Sequence, residues 1–275
     1  MIKVGYQGKN GTYSELACLE YFNNEEIITK NYSEFVSLMT DVENNKIDYA
    51  VLPVENSTTG IIYRTYDLFK NFNIYAIGEQ YIKIDENLIS VKGASKNTIK
   101  EVYSHPEALS QCRKFLSANG YKPVAYQDTA SSVKYVKEMN DCTKAALASS
   151  YAAKYYNMEI VEANVQDNQL NTTRFLVVSN KKEFDEKADK ISMYFIVQHE
   201  PGSLYKVLEY FAANNINLLK LESRPLENKL FEYCFYIDFE GNINDEIIID
   251  TLSKIDIHCL EYKILGNYLK VDINV

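Results

Sequence analysis

Apolar residues recur along this chain in two rhythms, and the change between them divides it. Over the first 178 residues, short apolar runs at Ile2 to Tyr6, Tyr49 to Val54, Ala76 to Ile82, Val102 to Tyr103 and Phe175 to Val178 alternate with helical stretches. Such alternation predicts open α/β sheets, whose ligands sit beyond the carboxyl ends of the strands. From Ser179 to Lys190 charged residues dominate, which reads as a linker. Beyond it, Ile191 to Gln198 predicts a strand. Ser203 then caps a helix whose apolar face is Leu204, Val207, Leu208, Phe211 and Ala212, stopped at Asn214-Asn215. Asn217 to Ser223 predicts a second strand, and the alternating Phe231, Tyr233, Phe235, Ile237 and Phe239 a half-buried third. A helix over Asn244 to Ile255 and a strand over Cys259 to Leu265 complete the order β-α-β-β-α-β, a ferredoxin-like sandwich. The expected division is a domain at 1–179, a linker at 180–190 and a second domain at 191–275.

Composition narrows what such a chain can do. Of 275 residues, 46% are hydrophobic and 24% charged, ordinary for a globular protein with real cores. The 29 Lys and Arg against 38 Asp and Glu leave a net charge of -9, a field that repels nucleic acid and anionic membrane. An anionic ligand therefore has to be captured locally. Neither a helix-turn-helix nor a basic patch is visible, which argues against a transcriptional regulator. No run is apolar enough to span a bilayer, and Met1 to Gly5 lacks the order of a signal peptide, so the expected location is cytoplasmic. Cys18, Cys112, Cys142, Cys234 and Cys259 are odd in number and far apart, which predicts reduced thiols rather than a disulfide framework or a zinc site.

Several predicted strand ends share one design. Gly8-Lys9-Asn10-Gly11-Thr12-Tyr13-Ser14-Glu15 follows the first strand, with Thr12 and Glu15 at capping-box spacing. Glu55-Asn56-Ser57-Thr58-Thr59-Gly60 follows Val54. Ser104-His105-Pro106-Glu107 repeats the capping-box spacing, with Pro106 where a first helical turn tolerates it, and Asp128-Thr129-Ala130-Ser131-Ser132 precedes a further helix. Each turn offers backbone N–H groups and hydroxyls at the positive end of a helix, a setting for an anion. Singly, each is equally well a simple cap. Asn171-Thr172-Thr173-Arg174-Phe175 adds a hydroxyl pair and a guanidinium at the mouth of a buried strand. There Arg174 needs an anion, internal or bound. His105 alone reads equally as a turn residue, and Glu55 as a solvated loop carboxylate.

GKNGTYSE, VENSTTG, SHPEALSQC, DTASS, AALASSYAA and NTTRF, in this order and spacing, resemble the motifs of the prephenate dehydratase family, whose members turn prephenate into phenylpyruvate. Past the linker, Pro201-Gly202-Ser203-Leu204 and Glu222-Ser223-Arg224-Pro225 resemble the effector motifs of the phenylalanine-sensing ACT domain, so the resemblance covers nearly the whole chain. Lys9, Glu107 and Ser203 stand where the family usually has Pro, Gln and Ala.

The resemblance implies two catalytic α/β lobes similar to those of periplasmic binding proteins, with the site in the cleft between them. One lobe is expected at about 1–78 plus 160–178, the other between. It also implies a monofunctional enzyme without cofactor or metal, in which Thr173 is essential. Prephenate becomes aromatic by losing its ring carboxylate as carbon dioxide while its hydroxyl departs, so no external electron sink is required. The expected catalytic residues are Thr173 at the departing oxygen and Arg174 on the carboxylate that stays, with His105 and Glu55 as candidate proton sources. Thr12, Asn56, Ser57, Thr129, Asn171 and Phe175 are expected to bind substrate. Gly202, Ser203, Leu204, Glu222, Ser223 and Arg224 are expected to bind L-phenylalanine between ACT domains of a homodimer or homotetramer, with a Glu222–Arg224 ion pair as the plain alternative. Arogenate dehydratase and a noncatalytic small-molecule sensor of the same fold remain alternative readings.

Overall fold

The computed structural model describes residues 1–182, 184–226 and 229–272. The elements of its N-terminal part are β1 (Ile2–Gln7), α1 (Tyr13–Tyr21), β2 (Ile27–Tyr32), α2 (Phe35–Glu43), β3 (Tyr49–Asn56), β4 (Gly60–Ile61), α3 (Tyr63–Asn71), β5 (Tyr75–Lys83) and β6 (Asn87–Ser90). There follow β7 (Glu101–Ser104), α4 (Pro106–Gln111), α5 (Arg113–Ala118), β8 (Lys122–Ala125), α6 (Thr129–Met139), β9 (Lys144–Ala148), α7 (Ser150–Tyr156), β10 (Glu159–Glu162) and β11 (Thr172–Ser179). The C-terminal elements are β12 (Lys190–Val197), α8 (Ser203–Ala213), β13 (Leu218–Pro225), β14 (Tyr233–Glu240), α9 (Glu246–Asp256) and β15 (Cys259–Tyr268). The chain forms two compact units. The first holds Met1–Leu68 and Gln80–Phe175, and the second Phe69–Glu79 and Leu176–Asp272, so that β5 and β11 each pass from one to the other.

In the first unit, β11, β3, β1 and β2 lie side by side in one sheet, with β1 parallel to both β2 and β3. A second sheet has the order β10-β6-β9-β7-β8, parallel where β7 meets β8 and β9, antiparallel where β6 meets β9 and β10. Each sheet buries apolar residues against helices. Gly5 of β1 lets two core side chains pack close, since a Cβ there would meet Cδ1 of Leu38 and of Ile47 and force both to shift.

The second unit has the predicted β-α-β-β-α-β order, with strands arranged β13-β14-β12-β15 and the first half of β5 beside β15. Ile191, Met193, Phe195, Val207, Phe211, Ile237, Phe239, Ile248 and Ile255 form its core. Three expectations change here. Strand β14 is buried on both faces from Tyr236 to Phe239, because Asp238 accepts the Ser192 hydroxyl at 2.5 Å, Ser192 meets the Tyr268 hydroxyl at 2.6 Å, and Lys70 Nζ lies 5.8 Å from the Tyr236 ring. Gly202, at φ 83°, is the helix cap, and Ser203 is the first helical residue. The charged segment after Ser179 is pinned to this unit: Asn242 Nδ2 donates to the carbonyls of Glu186 and Ala188 at 3.0 and 2.8 Å, and Phe184 packs on the core. The five cysteines are unbridged. Among the described residues no helix is long and apolar enough to cross a membrane, and no group of three His, Cys, Asp or Glu is arranged to hold a metal ion.

A buried ion pair fixes where β12 begins. Lys190 Nζ lies 2.8 Å from Glu79 Oε2 and 3.2 Å from Oε1, the side chains being 5% and 0% exposed, and Val271 N donates to the same carboxylate at 3.0 Å. Removing one partner strands the other charge without water. Glu79→Ala should therefore lower the unfolding free energy by about 3–5 kcal/mol in urea titration, whereas the double replacement Glu79→Leu, Lys190→Met should recover most of the loss. A single-variant loss below about 1 kcal/mol would show the pair to be dispensable, as exposed pairs are.

Candidate active site

The first unit contains a cavity of about 260 Å³ at the ends of its strands. Asn56 closes β3, Thr173 opens β11, His105 follows β7, and Asp128 and Thr129 begin α6. Tyr13 of α1, Thr59, Ile84, Glu86 and the α4 residues Glu107, Ala108 and Gln111 complete the wall with Asn171. Both sheets thus supply wall residues, as an open α/β design requires.

One side chain organises this wall. Asn56 is buried, and its Oδ1 accepts the backbone N–H groups of Thr58 and Thr59 at 2.9 and 3.0 Å. With the oxygen so engaged, Nδ2 is turned the other way and donates to Asn171 Oδ1 at 2.7 Å and Thr173 Oγ1 at 3.0 Å. The chain of amides continues: Asn171 Nδ2 donates to Gln111 Oε1 at 2.9 Å, and Gln111 Nε2 to Glu107 Oε1 at 3.2 Å. Because Thr173 Oγ1 accepts from Asn56, its own hydrogen is left to point along another direction, and the residue lines the cavity.

His105 lines the cavity as well, though it is exposed to solvent. It is also the cap of α4: Nδ1 accepts Glu107 N at 3.2 Å, which in the neutral ring puts the proton on Nε2. The expected Ser104–Glu107 capping box is therefore displaced by one residue, and Ser104 instead donates to the Leu147 carbonyl at 2.7 Å inside the sheet. Thr129 is the first residue of α6, whose cap Asp128 accepts Ser131 N at 2.6 Å.

Five expected residues lie outside this wall. Thr12 precedes α1, but its hydroxyl donates to the Lys9 carbonyl at 2.9 Å, and Glu15 accepts Gly11 N at 2.7 Å, so the capping box is not formed. The neighbouring Tyr13 takes the place at the cavity. Ser57 stands in a turn that leads to β4 and not at a helix start. Its hydroxyl bonds the Leu170 carbonyl at 3.1 Å and accepts Thr172 N at 2.9 Å, fastening the turn to the mouth of β11. Phe175 shares a strand face with Thr173 but sits two residues deeper, 2% exposed in the core. Arg174 points to the opposite face, 4% exposed, and its Nη1 lies 3.8 Å from Glu55 Oε2. The internal anion is thus the one present, and neither Arg174 nor Glu55 lines the cavity.

Sequence reasoning passed over Glu86, Gln111, Tyr13 and Asp128 as cavity residues. Gln111 belongs to the SHPEALSQC motif, but Glu86 sits in the polar run Lys83-Ile84-Asp85-Glu86-Asn87, which reads as a solvated loop. In the structure Glu86 is 2% exposed, and its Oε2 has no hydrogen-bond partner. Burial, aggravated by the adjacent Asp85, pushes its carboxyl up to about 8. The residues that line the cavity include no Lys and no Arg.

The second unit has its own cavity of about 120 Å³, at the junction of β12 with α8, lined by Gln198, His199, Glu200, Ser203, Leu204, Glu232, Tyr233 and Phe235 among others. Ser203 and Leu204 of the expected effector set contribute to it, whereas Gly202, Glu222, Ser223 and Arg224 do not. Those last three lie along β13, opposite Tyr236, Phe235 and Cys234 of β14.

Comparison with known proteins bears on both units. The family model described as prephenate dehydratase matches residues 4–183. A prephenate dehydratase of Methanocaldococcus jannaschii is 38% identical over 272 residues, covering 96% of this chain and 97% of its own. A chloroplastic arogenate dehydratase/prephenate dehydratase 2 of Arabidopsis thaliana is 36% identical over 278 residues, covering 97% of this chain and 72% of its own. Among solved structures, a prephenate dehydratase from Arthrobacter aurescens in complex with L-Phe aligns at TM-score 0.90 and 25% identity, over 98% of this chain and 90% of its own. A protein described as GqqA, a novel type of quorum quenching acylase, aligns at TM-score 0.90 and 27% identity, over 99% of this chain and 100% of its own. With the family model covering more than half of its residues and a full-length relative at 38% identity, this chain belongs to the prephenate dehydratase family.

Proposed function

We propose that this chain converts prephenate to phenylpyruvate, carbon dioxide and water, and that L-phenylalanine regulates it through the second unit. The observation that carries the reading is the Thr173 hydroxyl, held at the cavity wall by Asn56 Nδ2 at 3.0 Å. A hydroxyl that accepts from the protein has its own hydrogen free to donate to the ring hydroxyl as the C–O bond lengthens. That contact strengthens as charge develops on the oxygen, so it favours the transition state over bound substrate.

The carboxylate that stays needs donors, and Arg174 is engaged by Glu55. We assign its binding to neutral groups: the start of α6 at Thr129, whose hydroxyl and first N–H groups lie at the positive end of the helix, and His105 Nε2. Arg174 and Glu55 then act as a positioning pair, linking β11 to β3 at the strand ends that carry Thr173 and Asn56.

For regulation, the β-α-β-β-α-β elements from Lys190 to Tyr268 serve as an ACT domain. Its cavity at Ser203 and Leu204 supplies one wall of an effector site, and β13, the terminal strand of its sheet, carries Glu222, Ser223 and Arg224 towards a second copy in a homodimer or homotetramer. Half-exposed Leu219 and Leu221 on that strand suit such a contact.

Incubation with prephenate and with arogenate, each with and without L-phenylalanine, tests the reading. Phenylpyruvate should form from prephenate, and failure of both substrates to react would leave a binding protein. Thr173→Ala should lower kcat by about 100- to 1000-fold, the usual loss for one such donor, while Thr173→Ser retains most activity. A near-normal Thr173→Ala enzyme would remove the role. L-Phenylalanine should change the apparent prephenate affinity by roughly 5- to 150-fold, and activity indifferent to it would rule out the regulatory assignment.

A further inference from the structure

Conversion of prephenate dianion to phenylpyruvate monoanion, carbon dioxide and water consumes one proton, and a Thr hydroxyl is too weak an acid to give it up. The cavity wall holds a buried carboxyl, Glu86, suited to do so. We propose that Glu86 is the general acid of the reaction, donating its carboxyl proton to the ring hydroxyl oxygen as the carbon–oxygen bond breaks. In that step the bond between the ring and its carboxylate also breaks. Its electron pair completes the aromatic ring, carbon dioxide and water leave, and Glu86 remains as a carboxylate that takes its next proton from solvent. The inference rests on the prephenate reading of the cavity.

Three observations on the molecule lead to Glu86. It lines the same cavity as Thr173 and Asn56. It is buried, with an oxygen that no protein group satisfies, an arrangement that suits a ligand hydroxyl and serves no structural bond. Finally, among the described residues that line the cavity with it there is no Lys and no Arg. The titratable groups around it are Asp85 beside it, Tyr13 of α1, Cys112 at the end of α4, and His105, Glu107 and Asp128 on the cavity wall. Only burial and Asp85 act strongly on its carboxyl, and both keep the proton in place, up to about pH 8. A dianion entering the cavity adds to the same effect. The other proton sources fit less well: Glu55 is paired with Arg174 outside the cavity, and the His105 ring carries its capping bond on Nδ1 in the solvent-exposed rim.

The test compares wild type with Glu86→Gln, which keeps the shape and removes the acid. In wild type, kcat/KM should be level from pH 6 and fall above about 8, as the carboxyl of the free enzyme ionises, and kcat should fall only at higher pH, because the bound dianion holds the proton more firmly. In Glu86→Gln, kcat should drop about 100- to 10,000-fold, with KM changed far less, and the alkaline fall should vanish. Glu86→Asp should restore part of the rate and the alkaline limb. Folding is monitored separately. The folded carboxyl holds its proton up to about 8 while the unfolded one releases it near 4.5, so wild-type stability should decline as pH rises through that window, and Glu86→Gln should lack the decline. Infrared difference spectra should likewise show a protonated-carboxyl band at pH 7 that Glu86→Gln lacks. If wild type turns over prephenate and folded Glu86→Gln stays within threefold of it, or keeps the alkaline limb, the acid assignment is overturned while the prephenate reading stands. If wild type does not turn over prephenate, both fall.

Discussion

The Asn56 carboxamide joins the turn that ends β3 to the strand mouth that carries the Thr173 hydroxyl, and the geometry of the cavity depends on that junction. Its oxygen takes two backbone N–H groups of the turn, and its nitrogen gives to Asn171 and Thr173. A carboxylate at this position would serve the turn but meet the Asn171 oxygen with another acceptor, and an aliphatic side chain would leave the buried Asn171 and Thr173 oxygens without this donor. Only an amide satisfies both sides. Ser57 repeats the connection from the neighbouring residue through Leu170 and Thr172, so the turn is tied to four successive residues, Leu170 to Thr173, at and just before the start of β11. A Thr hydroxyl so anchored keeps one rotameric direction, and a hydroxyl with a fixed direction stabilises a developing charge without reorganising.

Much of this was legible in the sequence, and what was not has specific physical causes. The strands ending at Val54 and beginning near Phe175 announce themselves by continuous apolar runs, and the turn residues after them by their polarity. Thr173 and Asn56 follow, since both belong to a strand mouth. Parity along β11 also puts Thr173 and Arg174 on opposite faces, yet which face meets the cavity depends on the neighbouring strands. The face of Arg174 carries a contact with Glu55, a residue far away in sequence, which no local pattern announces. Thr12 and Glu15 have the spacing of a capping box, but Gly11 N reaches the carboxylate first. The alternation in β14 describes one face correctly and misses the second, because burial of Asp238 and Tyr236 requires partners from β12, β15 and the segment around Lys70. Glu86 was invisible for the opposite reason: charge in a short polar run signals solvent, and nothing local reveals that the fold closes over it.

The absence of Lys and Arg from the cavity wall at first sight contradicts a dianionic substrate in a chain of net charge -9. The contradiction dissolves when the charge on the substrate is followed through the reaction. One of its two carboxylates leaves as neutral carbon dioxide, so negative charge at that end disappears as the bond breaks. A cation placed there would hold the ground state more tightly than the transition state and slow the step. The hydroxyl end has the opposite requirement, because negative charge builds on the leaving oxygen. There the site needs donors that are neutral before the reaction, and a buried carboxyl that keeps its proton beside a fixed Thr hydroxyl meets that need without attracting the wrong carboxylate. On this reading the low positive charge of the cavity is a condition of its chemistry, and binding relies on the helix start at Thr129 and on shape.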